Sequence, residues 1–196
     1  MKGTNGKKTF SPSGIYASTV NAARSMGTLR KSLGSGLMSM EMNERLMLAV
    51  TSVNRCAMCS YAHTEMALEA GLSREEIRSF LDGDFPDIPD DEAKAVLFAE
   101  NYAEMRGRPS HEAWNAIVSA YGKKKAEAIL SSIRMIMAGN AWGIVYGSLA
   151  NRLRGKGGDD RSSLAYELLI VLLTIPFLAL GCIQGILMDL FRLPKI

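Results

Sequence analysis

Two cysteines and a histidine are spaced so that one short helix carries all three on the same side. The chain contains Cys56-Ala-Met-Cys59-Ser-Tyr-Ala-His63. Residues three and four positions apart lie one above the other on a helix, so these three side chains form one row. The following residues, Thr64 to Ala70, are mostly good helix formers. The cysteines therefore fall in the first two turns, where unpaired N–H groups and the positive end of the helix dipole favour a thiolate.

A carboxylate, Glu44, precedes this row on another predicted helix. Apolar residues at helical spacing predict an amphipathic helix over residues 41–54, with Glu44 off its apolar face. On one unbroken helix the carboxylate would lie about 18 Å from the first cysteine, so contact requires a break after Asn54 and a helical hairpin. Folded back there, Glu44 orients His63, and His63 takes the thiol proton of Cys59. This is the general arrangement of an activated nucleophile.

The residues alone leave three interpretations of the cysteine pair open: a redox site, a metal site and a buried structural pair. C-x-x-C is a common redox spacing. Zinc usually takes four ligands, whereas the row supplies three and needs Glu44 as a fourth. We expect the redox site, with no bound metal or cofactor.

Length and charge limit the other function classes. A chain of 196 residues suits one domain with appendages. Its net charge of +3 lacks the concentrated positive face of a nucleic-acid binder, so no nucleic acid is expected as a partner. Three cysteines do not make a secreted disulfide framework, and no continuous apolar run follows the basic N-terminus. We therefore expect a cytoplasmic domain without a signal peptide.

The sequence pattern predicts an all-α protein, because no stretch shows the short alternation of a strand. Residues 1–12, rich in Gly, Lys and Ser, predict a mobile N-terminal tail. Residues 13–154 form the predicted helical domain, and residues 155–163 form a charged, Gly-rich linker. Residues 164–191 form a hydrophobic helix.

The hydrophobic helix contains 21 residues, Leu168 to Met188, without any charge. At 1.5 Å per residue this length matches the roughly 30 Å hydrocarbon thickness of a bilayer. Gly181 and Gly185 form a G-x-x-x-G pattern that packs helices closely. More basic residues precede the segment than follow it, which places the domain at the inner face of a membrane. The alternative is a buried helix at an oligomer interface.

The pattern E-x11-C-x-x-C-x-x-x-H, in the text NERLMLAVTSVNRCAMCSYAHTEMALEAGLSREEI, resembles the alkyl hydroperoxidase D family of the carboxymuconolactone decarboxylase superfamily. The resemblance implies a helical bundle that forms homo-oligomers. It also implies that Cys59 is the peroxide-reacting thiol, Cys56 the resolving thiol, and Glu44 with His63 the proton relay. The best-known member has a histidine where this chain has Met58.

The expected function is therefore that of an antioxidant enzyme, a peroxidase with a redox-active disulfide. The resemblance implies a peroxide substrate and an external dithiol reductant, either a lipoyl or a thioredoxin-like protein. Two alternatives stay open. One is a membrane-attached redox sensor or adaptor with little turnover, and the other is a carboxymuconolactone decarboxylase-type enzyme, whose chemistry does not depend on a cysteine pair.

Overall fold

The computed structural model describes residues 9–84 and 88–193, and this part of the chain is entirely helical, without a strand. The predicted all-α class is thus confirmed. The helices are α1 (Pro12–Gly34), α2 (Met40–Asn54), α3 (Ala57–Glu69), α4 (Arg74–Asp82), α5 (Ala93–Glu104), α6 (His111–Leu153) and α7 (Leu164–Leu190).

Serine side chains decide where five of these helices begin. Ser11, Ser39, Ser73, Ser110 and Ser163 each accept a hydrogen bond from a backbone N–H in the first helical turn. Such a bond satisfies one of the N–H groups that a helix start leaves without an intrahelical partner. Local sequence therefore sets these starts before tertiary packing acts.

Part of the predicted N-terminal tail packs on the helical domain. Residues 1–8 lie outside the described residues, but Phe10 is buried in the core and α1 begins at Pro12. The guanidinium carbon of Arg106 lies 4.6 Å from the centre of the Phe10 ring, a cation–π contact. The packed domain thus includes Phe10.

Helix α6 is the central element, and it contacts α1, α2, α3, α5 and α7. It is interrupted at Gly122, whose φ of 72° and ψ of 156° are non-helical. It then continues through Gly139 and Asn140 to Leu153. Its C-terminal half carries apolar residues on several sides, and the other helices bury them.

The chain reverses between α2 and α3 at Arg55, which has a left-handed conformation with φ 55° and ψ 50°. Cys56 follows in an extended conformation, with φ −89° and ψ 97°. These two residues make the break that the predicted hairpin requires. Helix α2 also packs on α4, α5 and α6, so its end of the hairpin is held by the core.

Helix α7 lies along α1, and its G-x-x-x-G pattern makes the contact. A Cβ added to Gly181 would lie 3.0 Å from Thr19 Cγ2, and one added to Gly185 would lie 3.0 Å from Ala23 Cβ. A larger residue at either position would therefore have to displace its neighbour on α1 by a few tenths of an ångström, whereas glycine fits without a shift. The small-residue face of α7 is filled by a helix of the same chain.

The linker between α6 and α7 is attached to the domain. The backbone N–H of Asp159 donates to Ser148 Oγ at 2.7 Å, and Arg152 Nη2 donates to the carbonyl of Ser162 at 2.9 Å. Both Ser148 and Arg152 also donate to the buried carboxylate of Glu167 in the first turn of α7. The linker and the start of α7 thus share one polar cluster on α6.

Candidate redox site

The two site cysteines are joined by a disulfide at the start of α3. Cys56 is the N-cap residue and is fully buried, whereas Cys59 in the first turn is 7% exposed. The Cys56 sulfur accepts a hydrogen bond from the backbone N–H of Cys59 at 3.3 Å. Once the disulfide is reduced, the positive end of the α3 dipole favours a thiolate at Cys59 in the first turn.

Gly143 lets α6 approach both sulfur atoms. A Cβ at this position would lie 2.7 Å from Cys59 Sγ and 2.8 Å from Cys56 Sγ. It would also lie 3.3 Å from the terminal methyl of Met58. The carbonyl oxygen of Gly139 lies 3.5 Å from Cys59 Sγ, so a reduced Cys59 has a hydrogen-bond acceptor there. One face of α6 therefore forms the inner wall of the site.

Glu44 and His63 are in direct contact across the α2–α3 hairpin. Glu44 Oε2 lies 2.8 Å from His63 Nδ1, the Glu44 side chain is fully buried, and the His63 side chain is 13% exposed. The other carboxylate oxygen accepts from Asn43 Nδ2 at 2.9 Å, and Asn43 Oδ1 accepts from Ser132 Oγ at 2.8 Å. Both oxygens of the buried carboxylate are thus satisfied, as a buried charge requires.

This contact decides which ring nitrogen of His63 acts as a base. A carboxylate only accepts hydrogen bonds, so the proton of a neutral imidazole sits on Nδ1. The lone pair of Nε2 is then available. His63 follows Cys59 by four positions on α3, which places their Cβ atoms about 5–6 Å apart on one face. The fold brings all four predicted residues together, Glu44 from α2 and the others from the start of α3.

A comparison with known protein families finds a match for one part of the chain. Residues 21–100 match the model of the carboxymuconolactone decarboxylase family. The match covers 80 of the 196 residues. No curated protein and no solved structure matches the chain. The family region contains all four predicted site residues, whereas α6 and α7 lie beyond it.

Next to the site, buried polar side chains attach the last turn of α2 to α6. Asn54 Nδ2 donates to Asn140 Oδ1 at 3.0 Å, and Asn140 Nδ2 donates to Thr51 Oγ1 at 3.1 Å. All three residues are at most 1% exposed. The last turn of α2 is therefore fixed just before the chain reverses into Cys56.

Arg161 of the linker holds the reversal itself. Its Nη1 donates to the carbonyl of Asn54 at 2.8 Å, and its Nη2 donates to the carbonyl of Arg55 at 3.0 Å. Asp159 orients the guanidinium through contacts of 2.8 and 2.6 Å. The hydrogen bonds from Arg161 lower the pKa of Asp159 despite its partial burial. The linker thus contacts the two peptide groups that precede Cys56.

Sequence reasoning missed four residues of this site: Asn43, Ser132, Gly143 and Arg161. Asn43 is next to Glu44, and this adjacency is the only local signal among the four. The others are distant along the chain, and nothing in their neighbourhoods distinguishes them from ordinary helix or linker residues. In the described part of the chain, no group of three or more His, Cys, Asp or Glu side chains is arranged to hold a metal ion.

Proposed function

We propose that the protein is a thiol-dependent oxidoreductase that reduces peroxides through Cys56 and Cys59, with Glu44 and His63 as its proton relay. The observation that supports this most directly is the buried carboxylate bound to an imidazole one helical turn from Cys59. A base held in one tautomer beside a thiol at a helix start is what thiol activation requires.

The proposed cycle has three steps. The Nε2 atom of His63 takes the proton of Cys59, and the thiolate attacks a peroxide oxygen. The O–O bond breaks, Cys59 becomes a sulfenic acid, and the leaving alkoxide takes the proton from His63. The thiol of Cys56 then displaces hydroxide from that sulfur, giving the disulfide and one water molecule. An external dithiol reduces the disulfide by exchange and is itself oxidised.

The burial of the disulfide limits the reductant. Only Cys59 is accessible, and only to 7%. A slender dithiol such as a lipoyl group needs less open surface than a thioredoxin-like protein, so we favour the lipoyl type. No resident metal or cofactor enters these steps.

Peroxide consumption by the full chain with a dithiol reductant tests the proposal. We expect Cys59→Ser to abolish turnover and Cys56→Ser to stop the enzyme after one equivalent of peroxide, with Cys59 as the sulfenic acid. Cys182→Ser is the matched control, because Cys182 is an exposed free cysteine on α7 and should leave turnover unchanged. Wild-type rates in Cys59→Ser would refute the proposal.

A redox sensor or adaptor is the second candidate, and the contact of Arg161 with the carbonyls before Cys56 favours it. A rearrangement of this turn on reduction would reach the segment that leads into α7. The two candidates differ in turnover. A sensor changes its disulfide state with peroxide but consumes little of it at steady state.

We also propose that the protein forms homo-oligomers at the inner face of a membrane. Among the described residues, two helices, α6 and α7, are long and apolar enough to cross a bilayer by length and composition alone. The apolar window of α6 is 83% buried inside the domain, whereas that of α7 is only 17% buried. Helix α7 is therefore the candidate for membrane contact. Light scattering in detergent and in buffer alone measures the oligomer.

A further inference from the structure

Helix α7 has a narrow face that packs on the domain and a wide face that does not. The packed face includes Gly181 and Gly185, which contact α1. At 100° per residue, the outward-facing positions cover an arc of about 220°. Six large apolar side chains along the centre of this arc are each 47–79% exposed: Leu168, Leu172, Ile175, Ile183, Ile186 and Leu190.

The packed face fixes the direction of α7 relative to the domain. Tyr16 donates to Gln184 Oε1 at 2.6 Å, and Arg24 Nε donates to Asp189 Oδ1 at 2.9 Å. With the glycine contacts, these bonds hold most of α7 alongside α1. A bilayer crossed by α7 in this position would have to contain α1 as well. Helix α1 in turn packs on α6, so such a bilayer would also have to enclose part of the helical domain, which is strongly unfavourable.

The width and chemistry of the exposed arc identify what covers it. A helix packed against protein typically buries an apolar stripe of roughly 100°, about half of this arc. No charged residue interrupts the segment from 168 to 188. Exposed basic residues lie near both ends: Arg154 and Lys156 before α7, and Arg192 after it. An apolar surface between two basic ends complements an anionic bilayer, with acyl chains in the middle and headgroups around it.

We propose that α7 lies in the plane of an anionic lipid bilayer, with its exposed arc among the acyl chains and its glycine face on α1. The helix contacts one leaflet and does not cross the membrane, and the domain rests on the membrane surface. This differs from the membrane span that the sequence predicts. It rests on the membrane contact of α7 proposed above and is independent of the peroxidase proposal, because it uses none of the site residues.

A depth profile along α7 in vesicles distinguishes the two orientations. Nitroxide labels are attached to the oxidised full chain at the native Cys182 and, in a Cys182→Ser background, at Leu168→Cys or Leu190→Cys. An in-plane helix places all three labels at similar shallow depths of about 5–10 Å. A spanning helix places Cys182 deepest and the other two near the headgroups, which would overturn the proposal.

Charge variants test whether the arc carries the binding. Leu172→Glu and Ile175→Glu should each weaken binding to vesicles of phosphatidylcholine and phosphatidylglycerol by about tenfold or more, because each removes an exposed apolar side chain that the acyl chains would bury. Leu97→Glu on α5 is the matched control, since Leu97 is 61% exposed and outside the arc. Circular dichroism and disulfide formation check that the variants fold.

The anionic lipid is tested separately. Replacing Arg154 or Lys156 by Gln should reduce the affinity for phosphatidylglycerol vesicles by about fivefold each, and should not affect phosphatidylcholine vesicles. Equal binding to both vesicle types would refute the electrostatic part. A dimer that forms without lipid, protects Cys182 from labelling and leaves vesicles unbound would show that a second copy covers the arc, and would overturn the proposal.

Discussion

Gly143→Ala is the substitution whose effect follows most directly from the geometry of the site. The added methyl would lie 2.7 Å from Cys59 Sγ and 2.8 Å from Cys56 Sγ, well inside van der Waals contact. The sulfurs belong to a disulfide at the start of α3 that packs against α6, so they cannot rotate away as a flexible side chain would. Helix α6 or the start of α3 must move instead.

The magnitude is best measured against Gly147→Ala, one turn later on α6. There the new methyl meets Met58 Cβ at 3.6 Å, which is an ordinary contact. Alanine gains about 0.8–1.0 kcal/mol of helix propensity over glycine at either position, and this gain cancels in the comparison. The remaining difference is the overpacking cost at Gly143, about 1–3 kcal/mol.

Thermal unfolding under non-reducing conditions measures this difference. Gly143→Ala should melt about 2–12 °C below Gly147→Ala for a chain of this size. Gly147→Ala itself should melt at or above the wild-type temperature. Equal stabilisation by both substitutions would refute the close approach of α6 to the cysteines.

Two further predictions concern protonation. Reduced Cys59 should react with an alkylating probe well below the pH expected for a free thiol of pKa about 8.5. His63→Ala or Glu44→Gln should shift this reactivity profile to higher pH. Unchanged profiles in both variants would remove the relay from the mechanism. The pKa of Asp159 lies below its usual 3.8, and the hydrogen bond from Arg161 is the largest cause. The Asp159 carboxylate therefore stabilises the fold above about pH 4, and this stabilisation is lost as the pH falls through the folded-state pKa. Urea unfolding should therefore show a steeper acid loss in wild type than in Asp159→Asn, and parallel curves would contradict this.

The sequence alone contained the local part of the site. Spacing placed Cys59 and His63 on one face of a helix, because helical geometry depends only on positions along the chain. The break after Asn54 was also inferable, since Glu44 could reach the site only if the chain reversed there. The structure adds the means of reversal, the left-handed Arg55.

The partners of these residues required the tertiary structure. Gly143 follows Cys59 by 84 positions, and Arg161 follows Asn54 by 107 positions. Nothing in the intervening sequence encodes that α6 passes the disulfide or that the linker returns to the hairpin. Such contacts arise only when the whole core is assembled, because each depends on the packing angles of several helices at once.

Helix α7 shows the same division. Its uncharged composition alone determined that it is a helix suited to apolar surroundings, because such a segment gains free energy by leaving water. Whether its glycines met a second membrane helix or a helix of the domain was undetermined, since close packing needs only a small-residue face and any complementary helix satisfies it. In the tertiary structure the partner helix is α1, which contacts α7 through the fit of Gly181 on Thr19 and the ion pair of Asp189 with Arg24.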